Sequence, residues 1–276
     1  MAEMTQKKGT IIIPAYNESG KINKILSLVT EGGDFEVIVV CNGCVDDTYE
    51  IACSFPDENV RVYNLEEGSK VKALTFGDTK ASFFPRVYLD ADIDVAAQSL
   101  VELCDFMENT GLLASGAILN YKFEKTPFFV RKYYEVWTQL PYIKSEHTIG
   151  SGIYALSAEG RQRFDAFPNV ISDDGFVDNL FGDHEKRKAE SVSIGVDVPG
   201  NLWSLIKIKA RATAGNRQLA RLGHRYSSSN KINLKFFLKF GLSALVYLVI
   251  QILVKAYGAY YYRGKRSVWL RDETNR

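Results

Sequence analysis

Short apolar runs and amphipathic stretches alternate through the first ninety residues of the chain. Each run is rich in β-branched residues and too short for a helix, which is typical of a strand buried on both faces. The runs lie at Thr10–Ile13, Phe35–Val40, Val60–Tyr63 and Val87–Leu89. Between them, apolar residues recur at three- and four-residue spacing and predict helices over roughly 21–30, 47–54 and 70–80. This alternation predicts an α/β fold with a mainly parallel sheet flanked by helices.

The pattern changes beyond residue 95. A helix is predicted over 98–107 and a strand over 112–119. A further helix over 127–140 carries an apolar-aromatic face, which either packs against the sheet or forms a surface that faces an acceptor or a membrane. Packing against the sheet is the simpler interpretation.

The last long apolar run covers the 19 residues Phe236–Val254 and is interrupted by Lys239 and Gln251. As a helix it would be about 28 Å long, close to the thickness of the hydrocarbon core of a bilayer. Basic residues flank both of its ends, although the positive-inside rule would leave one side depleted. They are Lys231, Lys235 and Lys239 before it, and Lys255, Arg263, Lys265 and Arg266 after it. We therefore predict membrane attachment, either as a single transmembrane helix or as a helix at the cytoplasmic membrane face.

Charge divides the chain at about residue 200. Residues 1–200 carry 19 Lys and Arg against 31 Asp and Glu, whereas residues 201–276 carry 15 against 2. A strongly basic segment indicates an anionic partner, either nucleic acid or the anionic cytoplasmic leaflet of a membrane. We predict a catalytic domain over 1–200 and a basic, helical, membrane-associating tail over 201–276.

Four cysteines are too few for a dense disulfide framework. Cys41 and Cys44 have the C-x-x-C spacing of redox and zinc sites, but no second pair completes a four-cysteine site. Residues 1–9 are polar and do not form a secretory signal, so reducing cytosol is the expected setting.

Polar segments follow three of the predicted strands, at Pro14–Glu18, Asn42–Asp47 and Asp90–Asp92. In a parallel sheet these carboxyl ends share one edge, where ligands bind. The carboxylates of Asp90 and Asp92 could hold a hard divalent cation between the protein and a substrate phosphate. The alternative is a solvated surface turn, since Asp is common in turns.

The order Ile-Ile-Ile-Pro-Ala-Tyr-Asn-Glu, then a turn after the second strand, then Asp-Ala-Asp, resembles the family 2 glycosyltransferases. The resemblance covers residues 9 to about 200 and implies their Rossmann-like, nucleotide-diphospho-sugar transferase fold. It also implies a nucleotide-sugar donor, a Mg²⁺ or Mn²⁺ cofactor and inversion at the anomeric carbon. The C-terminal Trp269–Arg276 resembles the ends of bacterial envelope-polysaccharide enzymes of this kind.

The resemblance places eight residues around the donor and one on the metal. The donor-binding residues are Pro14, Ala15, Tyr16, Glu18, Asn42, Lys70, Asp90 and Ala91, and the metal ligand is Asp92. Tyr16 offers a ring for stacking on the base, and Lys70 lies near the phosphates. Asn42 stands where the family usually has Asp, but an amide can still pair with uracil. A plain turn at Asn42 and an exposed lysine at a helix start are the alternatives.

On the acceptor side, the resemblance points to a small-residue strand containing Gly152 and to the acidic pair Asp173 and Asp174. Asp174 is the expected base, taking the proton of the acceptor hydroxyl, with Asp173 in support. The same pair fits the first turn of a helix after an N-cap. Arg211 and Arg217 are candidates for contacts with the donor diphosphate, unless they belong to a solvated or lipid-facing surface.

These features together predict a membrane-associated, inverting glycosyltransferase of the inner membrane with its catalytic domain in the cytoplasm. It would transfer a sugar from a nucleotide-diphosphate donor, with UDP as the favoured nucleotide, to a lipid-linked or polysaccharide acceptor. A non-catalytic module that binds nucleotide sugar or nucleic acid is one alternative. We expect no nucleic-acid partner, because the predicted cleft is lined by carboxylates. Nucleotidyl transfer is another alternative, but the loop after the first strand is not basic.

Overall fold

The structure is a computed structural model that describes residues 7–150, 152–224 and 234–262. Its strands are β1 (Gly9–Ala15), β2 (Phe35–Asn42), β3 (Val60–Leu65), β4 (Arg86–Leu89), β5 (Ala114–Lys122), β6 (Ile153–Leu156) and β7 (Lys186–Asp197). Its helices are α1 (Ile22–Val29), α2 (Thr48–Cys53), α3 (Lys70–Lys80), α4 (Ala97–Thr110), α5 (Phe128–Trp137), α6 (Pro141–Lys144), α7 (Ala158–Arg161), α8 (Asp173–Asp178), α9 (Leu202–Arg221), α10 (Leu234–Leu238) and α11 (Leu242–Tyr261).

The strands form one seven-stranded sheet in the order β3-β2-β1-β4-β6-β5-β7. The neighbouring pairs from β3 to β4 are parallel, and β6 is antiparallel to both β4 and β5. Ile12 of β1 pairs with Ile38 of β2 and with Tyr88 of β4. Both β1 and β2 are buried along their whole length, which explains why they are continuously apolar. The predicted α/β class with a mainly parallel sheet is confirmed.

The chain divides into two compact units. The first unit comprises Met1–Asn120, Ile149–Pro168 and Leu180–Gly195, and it contains most of the sheet. The second unit comprises Tyr121–Thr148, Asn169–Asn179 and Val196–Arg276. The basic segment from residue 201 therefore shares a unit with α5 and α8, which precede it in the chain.

Three helices build the core of the second unit. Helix α11 packs on both α5 and α9, and their buried residues form a single apolar cluster. Lys209 of α9 reaches into the aromatic part of this cluster, with its Nζ 3.3 Å from the centroid of the Trp137 ring. Burial lowers the pKa of Lys209 to about 7, since it penalises the charged amine. In the helix predicted over 127–140, Tyr133 and Tyr134 are therefore core of the second unit and pack with α9 and α11, whereas Phe128 and Phe129 are exposed.

The prediction of one continuous helix over 236–254 is wrong. The segment is divided into α10 and α11, with a break between Leu238 and Leu242. Gly241 lies in the break with a φ of +49°, which an α-helix cannot contain. Helix α11 then continues past Val254 to Tyr261. Lys231, Arg263, Lys265 and Arg266, four of the predicted flanking cations, lie outside the described residues, as does Trp269–Arg276.

Candidate active site

The carboxyl ends of β1 and β2 are held together by the side chain of Asn42. This residue ends β2 and is fully buried. Its Nδ2 donates hydrogen bonds to the carbonyl oxygens of Ala15, at 2.8 Å, and Val40, at 3.3 Å. Its Oδ1 accepts a hydrogen bond from the backbone N–H of Ser69, at 3.0 Å. The amide therefore ties β1 and β2 to the N-cap of α3.

These contacts use both amide hydrogens of Asn42 for the protein's own backbone. Pairing of this side chain with a base, as the sequence suggested, stays a prediction. What the structure adds is that Asn42 positions the segments on either side of it. Sequence reasoning missed that role, because the bonded partners are 27 residues away in each direction.

We expect the substitution Asn42→Asp to destabilise the protein by about 2–4 kcal/mol, because it removes two buried donors and places a carboxylate against two carbonyl oxygens. Urea denaturation of the variant and the wild type measures this difference. Asn64→Asp, the same change at an exposed position of β3, is the matched control and should change stability by less than about 0.5 kcal/mol. Equal stability of Asn42→Asp and wild type would contradict the structural role.

The loops after β1 and β2 are also bonded directly to one another. The backbone N–H of Glu18 donates to Thr48 Oγ1 at 2.7 Å, and that of Val45 donates to Asn17 Oδ1 at 2.9 Å. Asp46 accepts from Thr48 and from the backbone N–H of Ser19. Hydrogen bonds therefore join the two loops along one edge of the sheet, called the cross-linked edge below. This edge positions the residues between the loops.

Cys44 belongs to the same cross-linked edge. The backbone N–H of Asn17 donates to its sulfur at 3.5 Å. A hydrogen bond from the Cys41 thiol, assisted by the backbone N–H groups of Asn17 and Asn42, lowers the pKa of Cys44 to about 6. The Cys41 thiol is buried, and its pKa is raised by the hydrogen bond to Cys44 and by burial. Within the described ranges, no group of three or more His, Cys, Asp or Glu side chains is arranged to hold a metal.

Tyr16 lies just beyond β1, at the edge where the ligand is expected. Its ring lies against Gly68, since a β-carbon at Gly68 would be 3.6 Å from Tyr16 Cε2. Pro14 and Ala15 are buried strand residues, paired with Val40 and Cys41 of β2. Glu18 is buried as well. Of these four candidates, the half-buried Tyr16 is the one placed to present a side chain at the strand end.

Lys70 and Asp90 form an ion pair at the ends of α3 and β4. The Nζ of Lys70 is 2.6 Å from Asp90 Oδ1, and the lysine side chain is only 16% exposed. The alternative of an exposed lysine at a helix start is therefore wrong. The ion pair therefore holds the Lys70 ammonium group beside the carboxylate of Asp90, which follows β4.

Gly152 packs directly against this carboxylate. Its carbonyl oxygen accepts a hydrogen bond from the backbone N–H of Asp90, at 2.8 Å. Its φ is +93°, and a β-carbon there would lie 2.9 Å from Ile93. Any other residue at 152 would therefore be strained and would push Ile93 away. Gly152, expected on the acceptor side, therefore lies beside Asp90, which was expected on the donor side.

The residues of the acidic loop after β4 differ in their exposure to solvent. Ala91 is buried, whereas Asp92 and Asp94 are both exposed. Asp94 is paired with Lys24. An exposed carboxylate at a strand end suits a hard divalent cation, provided that a ligand supplies further oxygens. Asp92 therefore fits a metal that is completed by phosphate groups.

The other four candidates belong to the second unit. Asp173 is buried and Asp174 is half-buried, both in the first turn of α8. Asp174 Oδ1 accepts hydrogen bonds from Ser172 Oγ at 2.8 Å and from the backbone N–H of Gly175 at 2.7 Å. Ser172 makes no N-cap hydrogen bond, so its hydroxyl orients the carboxylate instead.

Helix α8 rests on α9, which carries the two candidate arginines. A β-carbon at Gly215 would lie 3.0 Å from Ser172 Cβ, and the backbone N–H of Ile171 donates to Gln218 Oε1 at 2.8 Å. Arg211 is one turn before Gly215, on the same face of α9, and is half-buried. Arg217 is exposed. Arg211 is therefore the better placed of the two for a role beside the acidic pair.

Comparison with known proteins identifies a family that matches this chain. The sequence profile described as "Glycosyl transferase family 2" matches residues 10–167, more than half of the chain. A search of curated protein sequences gave no match. Among solved structures, a mannosyltransferase from Pyrobaculum calidifontis in complex with GDP-Man and Mn²⁺ has a TM-score of 0.60 and 17% sequence identity, covering 96% of this chain and 77% of that chain.

A second similar structure is glucosyl-3-phosphoglycerate synthase from Mycobacterium tuberculosis, in complex with Mn²⁺, UDP and glucosyl-3-phosphoglycerate. Its TM-score is 0.54 and its sequence identity 19%, with 79% of this chain and 81% of that chain covered. At such identities the similarity shows the fold alone.

Proposed function

The chain belongs to glycosyl transferase family 2, and from that premise we propose that it moves a sugar from a nucleoside diphosphate donor to a lipid-linked or glycan acceptor, with inversion. The observation that carries the proposal is the meeting of Tyr16, Lys70, Asp90 and Gly152 at one edge of the sheet. UDP is the favoured nucleotide. Family membership makes the binding-module and nucleotidyltransferase alternatives unnecessary.

The donor is held by residues of the first unit. The ring of Tyr16 stacks on the base, in the position where it now lies against Gly68. Lys70 neutralises phosphate charge, and its ion pair with Asp90 keeps the amine at the strand end when the site is empty of donor. Asp90 accepts from the ribose hydroxyls. The cross-linked loops keep these groups in place before the donor arrives.

Asp92 would hold a divalent cation, Mg²⁺ or Mn²⁺, beside the diphosphate of the donor. The two similar structures named above contain Mn²⁺, which supports the choice of metal. When bound, such a cation acts as a Lewis acid that stabilises the charge of the leaving nucleoside diphosphate.

Asp174 is the general base of the transfer. It takes the proton of the acceptor hydroxyl while the hydroxyl oxygen attacks the anomeric carbon opposite the leaving diphosphate. The hydrogen bonds from Ser172 and Gly175 fix the orientation of its carboxylate. Asp173 supports it from the preceding position, and Arg211 and Arg217 contribute positive charge toward the diphosphate.

The acceptor is presented at a membrane. Helix α11 is long and apolar enough to interact with a bilayer, with a mean hydropathy of 1.7. Residues 201–276 carry 15 basic against 2 acidic residues, which suits an anionic leaflet. The protein would then act at the cytoplasmic face of the inner membrane, on a lipid-linked or growing glycan acceptor.

A donor screen by thermal unfolding tests the proposal. With Mn²⁺ present, a UDP-sugar at about one hundred times its Kd should raise Tm by about 5 °C or more, because it binds only the folded protein. GDP- and ADP-sugars serve as competitors in the same screen. No shift with any nucleotide sugar would contradict the proposed donor site.

Lys70→Met identifies where the donor binds. We expect this variant to bind the UDP-sugar at least tenfold more weakly, since it removes the amine placed for the phosphates. Lys72→Met is the matched control, because Lys72 is exposed on the same helix and paired with Glu67. Equal affinities of the two variants, measured by titration calorimetry, would place the donor elsewhere.

A further inference from the structure

Helix α11 has two apolar faces, of which only one is covered. Its inner half packs into the core of the second unit, with Ile250 and Val254 nearly inaccessible to solvent. Its outer half presents six aliphatic side chains that are 43–66% exposed: Leu242, Leu245, Leu248, Val249, Ile252 and Leu253. A surface helix normally turns polar residues outward. This helix does the opposite over about three turns, so its outer face needs an apolar environment.

The covered half contacts α5 and α9 along the length of α11. Near its start, Ser243 Oγ donates to Glu135 Oε2 of α5 at 2.5 Å. In its middle, Gln251 Nε2 donates to the hydroxyl of Tyr133 at 3.1 Å. Near its end, a β-carbon at Gly258 would lie 3.7 Å from Ala210 of α9. If α11 crossed a bilayer in this packing, α5 and α9 would enter the hydrocarbon with it.

Those neighbouring helices are unsuited to hydrocarbon. Helix α5 carries an ion pair between Lys132 and Glu135, and α9 carries five basic residues between Lys207 and Arg221. Charged side chains in the centre of a bilayer are costly. The packing of α11 on α5 and α9 is therefore incompatible with a transmembrane orientation and compatible with a helix parallel to the surface.

Basic and aromatic residues surround the uncovered face at both ends. Lys235 and Lys239 precede α11 and are exposed, and Lys255 is exposed near its other end. Tyr260 is 85% exposed, and Trp203 of α9 is 53% exposed beside Tyr257, with ring centroids 5.1 Å apart. Lys, Trp and Tyr are the residues that proteins typically place at the level of the lipid headgroups. Lysines at both ends fit a helix whose ends lie at the same depth.

We propose that α11 lies in the plane of the membrane surface, with its outer face in the boundary between headgroups and acyl chains of an anionic bilayer. This inference rests on the membrane association in the proposed function and specifies its mode. A second copy of the chain is the other possible cover for the face. The same lysines on two facing copies would repel one another, whereas anionic lipids attract them.

Flotation with vesicles tests whether the partner is an anionic bilayer. The full-length protein is mixed with phosphatidylcholine vesicles, or with vesicles in which about one lipid in three is phosphatidylglycerol. We expect binding to the anionic vesicles that weakens as salt is raised, and at least tenfold weaker binding to the neutral ones. Equal absence of binding to both, or a stable dimer in light scattering that the substitution Leu245→Glu dissociates, would overturn the proposal.

Substitutions on the outer face localise the binding. Leu245→Glu and Ile252→Glu should each weaken vesicle binding at least tenfold, since each replaces an exposed aliphatic group that would enter the bilayer with a charged one. Leu222→Glu is the matched control, because Leu222 is a 55% exposed leucine of the second unit outside α11. It should bind as wild type. The donor-induced rise in Tm, measured without vesicles, shows separately whether the sugar-transfer proposal holds in these variants.

Depth measurements decide between the two orientations. Spin labels are attached to Leu242→Cys or Leu253→Cys, in a background in which Cys44→Ser and Cys53→Ser remove the reactive native thiols. An in-plane helix places both labels at the same depth, as read from collisions with lipid-soluble and water-soluble relaxing agents. A spanning helix would separate their depths by about 16 Å, and that result would overturn the proposal.

Discussion

Replacement of Asp174 by Asn is expected to lower the turnover number for sugar transfer by about three orders of magnitude while leaving the fold intact. An amide at this position still accepts the hydrogen bonds that Ser172 and Gly175 donate to Oδ1, so the geometry of α8 is retained. What it loses is the ability to take a proton from the acceptor hydroxyl, a contribution of about 10²- to 10⁴-fold. Steady-state transfer with saturating donor, together with thermal unfolding, measures both quantities.

Asp183→Asn provides the matched control for this substitution. Asp183 is exposed, follows α8 in the chain and has no assigned role. Its amide variant should keep the wild-type rate within about twofold and the wild-type Tm. If Asp174→Asn behaved like Asp183→Asn, Asp174 would not be the base, and the acidic pair would be only the first turn of a helix.

Replacement of Asp92 by Asn is expected to lower kcat/KM about 10²-fold or more at a fixed Mn²⁺ concentration, because a neutral amide is a poorer ligand for a hard cation than a carboxylate. Activity of the wild type should disappear on chelation and return with added Mn²⁺. The variant should need a higher Mn²⁺ concentration for half-maximal activity. A titration of transfer rate against Mn²⁺ measures both effects.

Asp94→Asn controls for the charge of the acidic loop. Asp94 is two residues away, equally exposed, and paired with Lys24. Its loss removes one negative charge from the same loop without removing the proposed ligand, so the Mn²⁺ dependence should stay that of the wild type. Identical metal dependence in Asp92→Asn and Asp94→Asn would show that neither carboxylate binds the metal.

The sheet and its functional edge were predictable from sequence because both depend on local signals. Continuous β-branched runs identify strands that are covered on two faces, and the observed β1, β2 and β4 fall on them. Parallel pairing then requires the residues after these strands to share one edge. For this reason Pro14–Glu18, Asn42–Asp47 and Asp90–Asp92 could be grouped before their contacts were known, whereas Lys70 and Gly152 were indicated only by the family resemblance.

The contacts that the sequence did not indicate are those between distant segments. The resemblance suggested a base as the partner of Asn42, which stays a prediction, whereas its bonds to Ala15 and Ser69 depend on three-dimensional register. The break at Gly241 was hidden, because glycine inside an apolar run is compatible with a helix until its φ is known. Likewise, no local signal shows that α11 shares a core with α5, which is more than one hundred residues earlier.

The thiol of Cys44 makes the cross-linked loops chemically addressable. The hydrogen bond from Cys41 lowers the pKa of Cys44 and so raises its thiolate fraction, whereas its neighbour Cys41 and the buried Cys104 have raised pKa values. Alkylating reagents attack the thiolate form. The chain therefore carries a native attachment point for a fluorophore or a crosslinker beside Asn17, one residue from the ring of Tyr16, where an engineered cysteine would otherwise be introduced.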